Sequence, residues 1–132
     1  MNTETATATV AAPLDKIRAV LLDALAFPEW NDAFQSISGP QEAGVNATYA
    51  LRVRPGLPGR MQYTAIEPHR VSIRWSAPGF TEDGDWDLQA APGGTVVKHS
   101  YRQDGPTAAV LRTAMQGVTQ ERIRRLALRV RG

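Results

Sequence analysis

The N-terminal residues alternate in a way that predicts a β-strand followed by a helix. Threonine occupies every second position from Thr3 to Thr9, and a period of two places each class of residue on its own face of a strand. Pro13 suits the first turn of a helix, where its missing N–H costs nothing. The apolar residues after it stand three or four positions apart and form one stripe: Ile17, Val20, Leu21, Ala24 and Leu25.

Pro28 is expected to end this helix, because the residue before a proline is pushed out of the helical region. Trp30 would then lie in a turn or in one short extra helical turn. The pattern therefore predicts two short helical segments before the chain reverses into strands.

Between Phe34 and Arg102, short runs rich in β-branched and aromatic residues alternate with Gly and Pro pairs. Regular spacing of this kind is typical of an antiparallel meander. We place six strands at about 33–38, 45–54, 60–67, 71–76, 80–89 and 95–102. With the N-terminal strand, the predicted sheet has about seven strands.

After Gly105-Pro106 the period becomes helical. The apolar residues fall on roughly one face and the arginines on the others: Leu111, Met115, Val118, Ile123, Leu126 and Val130. This predicts a long C-terminal helix. The whole chain, 1–132, is then one α+β domain in which a curved sheet covers the apolar face of that helix and encloses a volume.

The composition excludes several classes of site. The chain has no cysteine and only His69 and His99 as histidines, which rules out disulfides and thiolate ligands and makes a metal centre improbable. We expect no cofactor. Neither a signal peptide nor an apolar run of membrane-spanning length is visible, so we expect a cytoplasmic protein without a membrane span.

Net charge is only +2, yet five arginines crowd the last eleven residues: Arg122, Arg124, Arg125, Arg129 and Arg131. Such a cluster would suit phosphates or an anionic membrane, but cations near a helix C-terminus also complement the helix dipole. We favour the second interpretation. The arginines alternate with aliphatic rather than aromatic residues, so we expect no nucleic-acid partner.

Four features together point to a known family. They are Pro13 opening the first helix, the turn Phe27-Pro28-Glu29-Trp30-Asn31, the Trp86-x-Leu88 strand and the Gly93-Gly94-Thr95 hairpin. In this order the elements resemble the START-related helix-grip (SRPBCC) superfamily, and within it the polyketide cyclase/dehydrase-like group. The resemblance implies a cavity for an apolar small molecule between sheet and long helix, entered near the hairpin loops and the N-terminal end of that helix.

Strand parity predicts which side chains line that cavity. Val71, Ile73 and Trp75 share the inner face of one strand, and Glu82, Trp86 and Leu88 that of the next. If Trp86 lies opposite His99, then Val97, His99 and Tyr101 also face inward. The same parity turns Leu51, Val53 and Ala65 inward. The residues expected to contact ligand are Trp30, Tyr49, Met61, Tyr63, Trp75, Trp86, Tyr101 and Met115.

Such a lining suits a small hydrophobic ligand of aromatic or polycyclic shape, with a few oxygens oriented by polar tips. It suits a bare fatty acyl chain less well. Our first hypothesis is therefore ligand binding by a carrier or sensor.

The second hypothesis is a cofactor-free polyketide cyclase or dehydratase. An inward Glu82 with an elevated pKa would serve as a general acid or base, and His99 as a group titrating near neutral pH. Tyr101 or Tyr63 would hold the enolate oxygen.

One pattern departs from such cyclases, in which cavity arginines are thought to orient substrate. Four strand arginines fall on the predicted outer face, unless a β-bulge reverses a strand: Arg52, Arg54, Arg74 and Arg102. A third hypothesis is a co-chaperone-like role in protein contacts, which a dry, filled interior would favour. The sequence leaves the oligomeric state open, although the edge strand near Phe34–Ser38 could pair in a dimer.

Overall fold

The computed structural model describes residues 1–131, and its centre is one antiparallel sheet that packs against a C-terminal helix. In chain order the elements are β1 (Asn2–Val10), α1 (Leu14–Leu22), a 3₁₀ helix (Ala24–Glu29), β2 (Phe34–Ser38), β3 (Thr48–Val53), β4 (Leu57–Ile66), β5 (Arg70–Ala77), β6 (Phe80–Ala91), β7 (Gly94–Asp104), α2 (Pro106–Val110) and α3 (Val118–Arg131).

The sheet in residues 1–131 has seven strands in the order β1-β7-β6-β5-β4-β3-β2. From β2 to β7 it is the predicted meander, and β1 returns to pair with β7. The hairpin register is also confirmed, since Trp86 lies opposite His99. The predicted α+β helix-grip architecture is therefore correct.

Period-two alternation divides the sheet into an inner and an outer face. Trp75, Glu82, Trp86 and His99 are all buried, whereas Arg52, Arg74 and Arg102 are exposed on the other face as predicted. Arg54 is exposed as well, but it lies in the turn after β3. The inner face, α1, the 3₁₀ helix and α3 surround one core. The inner polar residues are thus inside the protein.

The first helix ends earlier than predicted. α1 stops at Leu22, because Asp23 leaves the helical region and its N–H returns to the carbonyl of Val20. The chain then enters the 3₁₀ helix, which contains Pro28. This bend turns Ala24 and Phe27 into the core and leaves Leu25 39% exposed, so the expected stripe does not continue through Leu25.

Ala65 was predicted to face inward, and this is wrong. The register of β4 against β5 shifts between Tyr63 and Ala65. One extra residue in a strand reverses the parity of the residues beyond it. Ala65 consequently lies beside Ser72 on the outer face.

The long C-terminal helix is interrupted. α2 ends at Val110, and a run of turns leads to Gly117, whose φ of 82° favours glycine. There the Glu4 carboxylate accepts hydrogen bonds from the Gly117 N–H at 2.8 Å and the Thr119 N–H at 2.9 Å. Glu4 thus satisfies free N–H groups at the start of α3 and ties this helix to β1.

Candidate functional site

A carboxylate lies at the centre of the inner face. Glu82 stands on β6 between Trp75 of β5 and Gln103 of β7, its direct cross-strand partners. The Trp75 Nε1–H donates to one carboxylate oxygen at 2.9 Å and the Gln103 Nε2–H to the other at 2.9 Å. Glu82 is only 3% exposed, as its predicted place on the inner face requires.

Arg122 approaches the same carboxylate from α3. Its Nη1 and Nη2 donate to the two oxygens of Glu82 at 2.9 and 3.0 Å, which is the bidentate geometry that makes such pairs strong. Arg122 is itself buried, at 6% exposure. The expectation that the C-terminal arginines lie in solvent is therefore wrong for this one.

The pKa of the Glu82 carboxyl lies below its usual value. Burial alone would raise this pKa, but the charge of Arg122, its hydrogen bonds, the Gln103 amide and His99 together outweigh that effect. The expected elevated pKa is not found. Glu82 is a fixed carboxylate whose oxygens are taken by four donors, so it is poorly suited to exchange protons.

His99 lies beside this ion pair and is neutral at pH 7. Its Nδ1 lies 3.0 Å from the carbonyl oxygen of Asp85 and its Nε2 lies 3.2 Å from Arg122 Nη1. These partners favour the tautomer with the proton on Nδ1. Burial and then the charge of Arg122 lower the pKa of His99 to about 4, rather than leaving it near neutrality.

Aromatic rings fill most of the remaining interior. The Trp86 ring stacks on His99 with centroids 3.8 Å apart, and Trp30 meets Trp86 edge-on at 6.0 Å. The cavity left between sheet and α3 has a volume of about 20 Å³, room for about one water molecule. Its walls are Phe27, Trp30, Asn31, Phe34, Ile73, Trp75, Glu82, Gly84, Trp86, His99 and Arg122.

A second, larger space lies directly outside. This outer cleft, of about 340 Å³, separates the loop after the 3₁₀ helix from the N-terminal half of α3. Its lining is Asn31, Asp32, Ala33, Met115, Val118, Glu121, Arg122 and Arg125. Asn31 and Arg122 line both the cleft and the inner cavity, so these two residues form the boundary between the two spaces.

The structure places the predicted ligand contacts in different environments. Trp30, Trp75 and Trp86 line the inner cavity, and Met115 lines the outer cleft. Tyr49, Met61, Tyr63 and Tyr101 are buried but line neither space. The structure brings the predicted catalytic pair, Glu82 and His99, together through Arg122; their role in catalysis stays a prediction.

The hydroxyls of two tyrosines are directed at the backbone. Tyr63 donates to the carbonyl of Leu21 at 2.7 Å and Tyr101 to that of Met115 at 3.1 Å. Burial raises the pKa of both phenols. Neither hydroxyl is free to hold an enolate oxygen in this arrangement.

Sequence reasoning missed three residues at the site: Arg122, Gln103 and Asn31. A signal for Arg122 was present, because it lies four positions after Val118 and four before Leu126, at the spacing of one helix face. An arginine within an apolar stripe indicates a buried ionic partner. Gln103 shares the inward parity of Tyr101 in the same strand.

A sheet wrapped onto a C-terminal helix, with a cavity between them, defines the helix-grip class of α+β proteins. The chain belongs to the family described as polyketide cyclase / dehydrase and lipid transport, which matches residues 1–131. This agrees with the predicted START-related helix-grip (SRPBCC) superfamily and its polyketide cyclase/dehydrase-like group. No curated protein matches the chain in sequence.

Solved structures share this fold at low sequence identity. A protein from Mesorhizobium loti superposes with a TM-score of 0.78 at 14% identity, covering 96% of this chain and 95% of that one. An aromatase/cyclase from Streptomyces gives 0.74 at 15%, covering 98% and 93%. A point mutant of norcoclaurine synthase from Thalictrum, solved with a transition state analogue, gives 0.73 at 14%, covering 98% and 93%.

Neither a membrane-spanning helix nor a cluster of metal-binding side chains is found in residues 1–131. No helix there is long and apolar enough to cross a membrane. No group of three or more metal-binding side chains comes together in that part of the chain.

Proposed function

We propose that this protein reversibly binds a small hydrophobic, aromatic ligand that carries a neutral oxygen acceptor. The ligand enters from the outer cleft and directs its oxygen at Arg122. The observation that carries this proposal is the position of Arg122, which lines the cleft and the inner cavity at once.

Arg122 has donors to spare. A guanidinium carries five N–H groups, and the hydrogen bonds to Glu82 and His99 use three of them. The Nε–H and one Nη2–H make no hydrogen bond to residues 1–131. Glu82 already balances the charge of Arg122, so an added anion would be a buried, uncompensated charge. A ketone or similar carbonyl oxygen is therefore the better partner.

The walls suit the rest of such a ligand. Trp86, Trp75 and Phe34 offer ring faces and edges to an aromatic guest, and the outer cleft adds apolar surface from Met115 and Val118. The family description names cyclases, dehydrases and lipid transport, and the structural neighbours include an aromatase/cyclase. Both support a small-molecule ligand.

The test compares two probes of the same shape, β-acetonaphthone and β-ethylnaphthalene, by fluorescence titration. The ketone should bind about tenfold more tightly, because only it accepts a hydrogen bond from a charged donor. In the double variant Glu82→Gln/Arg122→Met, which leaves no unpaired buried charge, this preference should disappear. Equal affinities in the wild-type protein, or a preference that survives in the double variant, would contradict the proposal.

A second experiment would identify the natural ligand. Native mass spectrometry of the purified protein, followed by denaturing extraction, should release an aromatic carbonyl compound. Arg124→Gln, an exposed change on the same helix, is the matched control and should retain the same compound.

A second candidate function is a cofactor-free cyclase or dehydratase, and it is favoured by the contact between neutral His99 and Arg122. If a substrate oxygen takes over the Arg122 Nη1–H that now points to His99 Nε2, that nitrogen is released to accept a proton, and the guanidinium stabilises the enolate oxygen that results. Glu82 would then position Arg122 rather than transfer a proton. If so, His99→Gln should lower turnover of a poly-β-ketone thioester at least about a hundredfold while β-acetonaphthone still binds.

A role in protein contacts is the third candidate, and the nearly filled interior is the observation in its favour. Under that hypothesis neither naphthalene probe binds, and extraction releases no compound. Binding of either probe at Arg122 would count against it.

A further inference from the structure

Trp30 occupies space in which an aromatic ligand would lie. Its ring is 5% exposed, meets Trp86 at 6.0 Å and Phe27 at 5.5 Å, edge to face in both cases, and forms one wall of the inner cavity. With this indole in place the cavity holds about 20 Å³, whereas pockets for small organic ligands span roughly 300–1,000 Å³. The closed interior admits no aromatic ring.

The indole is not fully satisfied where it lies. Its Nε1–H is buried and finds no hydrogen-bond partner among residues 1–131. A buried donor without a partner costs free energy that hydration would recover. Trp30 also borders a surface groove of about 360 Å³ beside Leu128 and Arg129. Moving the ring out of the interior would therefore hydrate its unsatisfied N–H, and the groove beside it offers space for the ring.

The segment that carries Trp30 is joined to α3 by two surface ion pairs. Arg125 contacts Asp32 at 2.7 Å and Arg129 contacts Glu29 at 2.8 Å. All four side chains are about a third or more exposed. Exposed pairs of this kind contribute little and are screened by salt.

The same segment is held differently on its other side. The Arg54 Nε–H donates to the carbonyl of Asp32 at 2.8 Å and the Arg54 backbone N–H to that of Ala33 at 3.0 Å. The segment is therefore held to the sheet side by hydrogen bonds to its backbone. Its contacts with α3 are weaker, and we call the boundary between Glu29–Asp32 and α3 the seam. Asn31 and Arg122, which line both spaces, stand on opposite sides of this seam.

We propose that Trp30 is the residue that sets ligand size, and that it leaves the interior when the seam between Glu29–Asp32 and α3 opens. This inference rests on the proposed function. Opening joins the inner cavity to the outer cleft, and the space vacated is that of an indole. The ring system that enters the interior is therefore flat and has about two fused rings, and any further part of the carbonyl compound lies in the outer cleft.

The first test weakens the seam. The variant Glu29→Gln/Asp32→Asn removes both ion pairs while leaving every residue of the inner cavity unchanged. It should raise the affinity for β-acetonaphthone, and its association rate, about fivefold, because the binding-competent state becomes more populated. Glu42→Gln/Asp104→Asn makes the same change in net charge at two exposed residues that form no ion pair within residues 1–131, and should change neither.

The second test removes the indole. Trp30→Ala should bind β-acetonaphthone at least about tenfold more tightly, because no side chain has to be displaced. In this background the seam variant should have no further effect on affinity. A merely structural role of Trp30 would not abolish the effect of the seam variant. If Trp30→Ala does not fold, the seam variant alone tests the proposal: an unchanged affinity for β-acetonaphthone in that variant would overturn it.

The outcomes separate the two proposals. If binding depends on the Glu82/Arg122 pair but is indifferent to Trp30 and to the seam, only this inference is overturned. If binding does not depend on that pair at all, the proposed function fails first. An unchanged affinity in both the seam variant and Trp30→Ala overturns the gating role of Trp30.

Discussion

Glu82 and Asp83 are neighbours on β6, and both carboxylates bind arginine, but they lie on opposite faces of the sheet. On the inner face the Glu82 side chain is 4% exposed and pairs with Arg122. On the outer face the Asp83 side chain is 27% exposed and pairs with Arg74 at 2.7 Å and Arg102 at 3.4 Å. Both are carboxylate–guanidinium pairs, and the main difference between them is their exposure to solvent.

That difference decides what each pair contributes. Water and salt screen the outer pairs, so losing one matters little. The inner pair has been removed from water, so losing one partner leaves the other as an uncompensated buried charge. The inner pair also keeps Arg122 at the boundary of cavity and cleft, both of which it lines. Burial thus turns an ordinary ion pair into a candidate binding site.

The largest expected effect comes from breaking the inner pair. Arg122→Met should lower the free energy of unfolding by about 3–5 kcal/mol, because Glu82 would remain buried and charged. Urea denaturation measures this directly. The matched control is Arg124→Met, whose side chain is 59% exposed in its pair with Glu121; its loss of stability should be only a small fraction of that of Arg122→Met. Equal losses in the two variants would contradict the comparison.

The pH dependence gives the next effect. The pKa of His99 is about 4 in the folded protein and 6.5 without the environment of the fold, so between these values the unfolded chain binds more protons. The free energy of unfolding should therefore be highest above pH 6.5 and fall by roughly 3 kcal/mol as the pH drops to about 4. The lowered pKa of Glu82 adds a further loss at more acidic pH.

The variant His99→Gln isolates the contribution of that imidazole. Its free energy of unfolding should change less between pH 6.5 and pH 4 than that of the wild-type protein, since the other histidine and the carboxylates are common to both. Parallel curves for the two proteins would show that His99 does not titrate as the structure requires.

The smallest effect is expected on the outer face. Asp83→Asn weakens the exposed pairs with Arg74 and Arg102, and should cost about 0–1 kcal/mol. The difference from wild type should vanish in about 1 M salt, where screening is strong. A salt-independent loss as large as that of Arg122→Met would erase the distinction between the two faces.

The sequence predicts β6 well because its chemistry follows a simple period. Trp86 and Glu82 alternate with Asp83 and Asp85, and the Pro92-Gly93-Gly94 turn fixes which residues of β7 lie opposite. Local rules also anticipate the exposed strand arginines. The one wrong prediction of strand parity is that of Ala65. It arises from a register shift that no residue type in the sequence indicates.

The sequence alone did not predict the arginine of the central ion pair. Arg122 lies forty positions from Glu82, and its neighbours Arg124 and Arg125 favoured a solvated helix face. Cavity volume was also beyond reach, because it depends on how rings from several elements pack. Trp30 illustrates this. From the sequence, a tryptophan in this turn is expected to contact the ligand, but the sequence does not tell whether its ring forms a wall of the cavity or fills the cavity.

The most direct test of the central claim is NMR of the Arg122 side chain during titration with β-acetonaphthone. We predict that the Nε–H resonance of Arg122 shifts with the ketone and not with β-ethylnaphthalene. The ring resonances of His99 and Trp86 should also shift when the ketone binds. A ketone that binds without moving the Arg122 resonance, or that perturbs only the outer face around Asp83, would contradict the assignment of this ion pair as the ligand site.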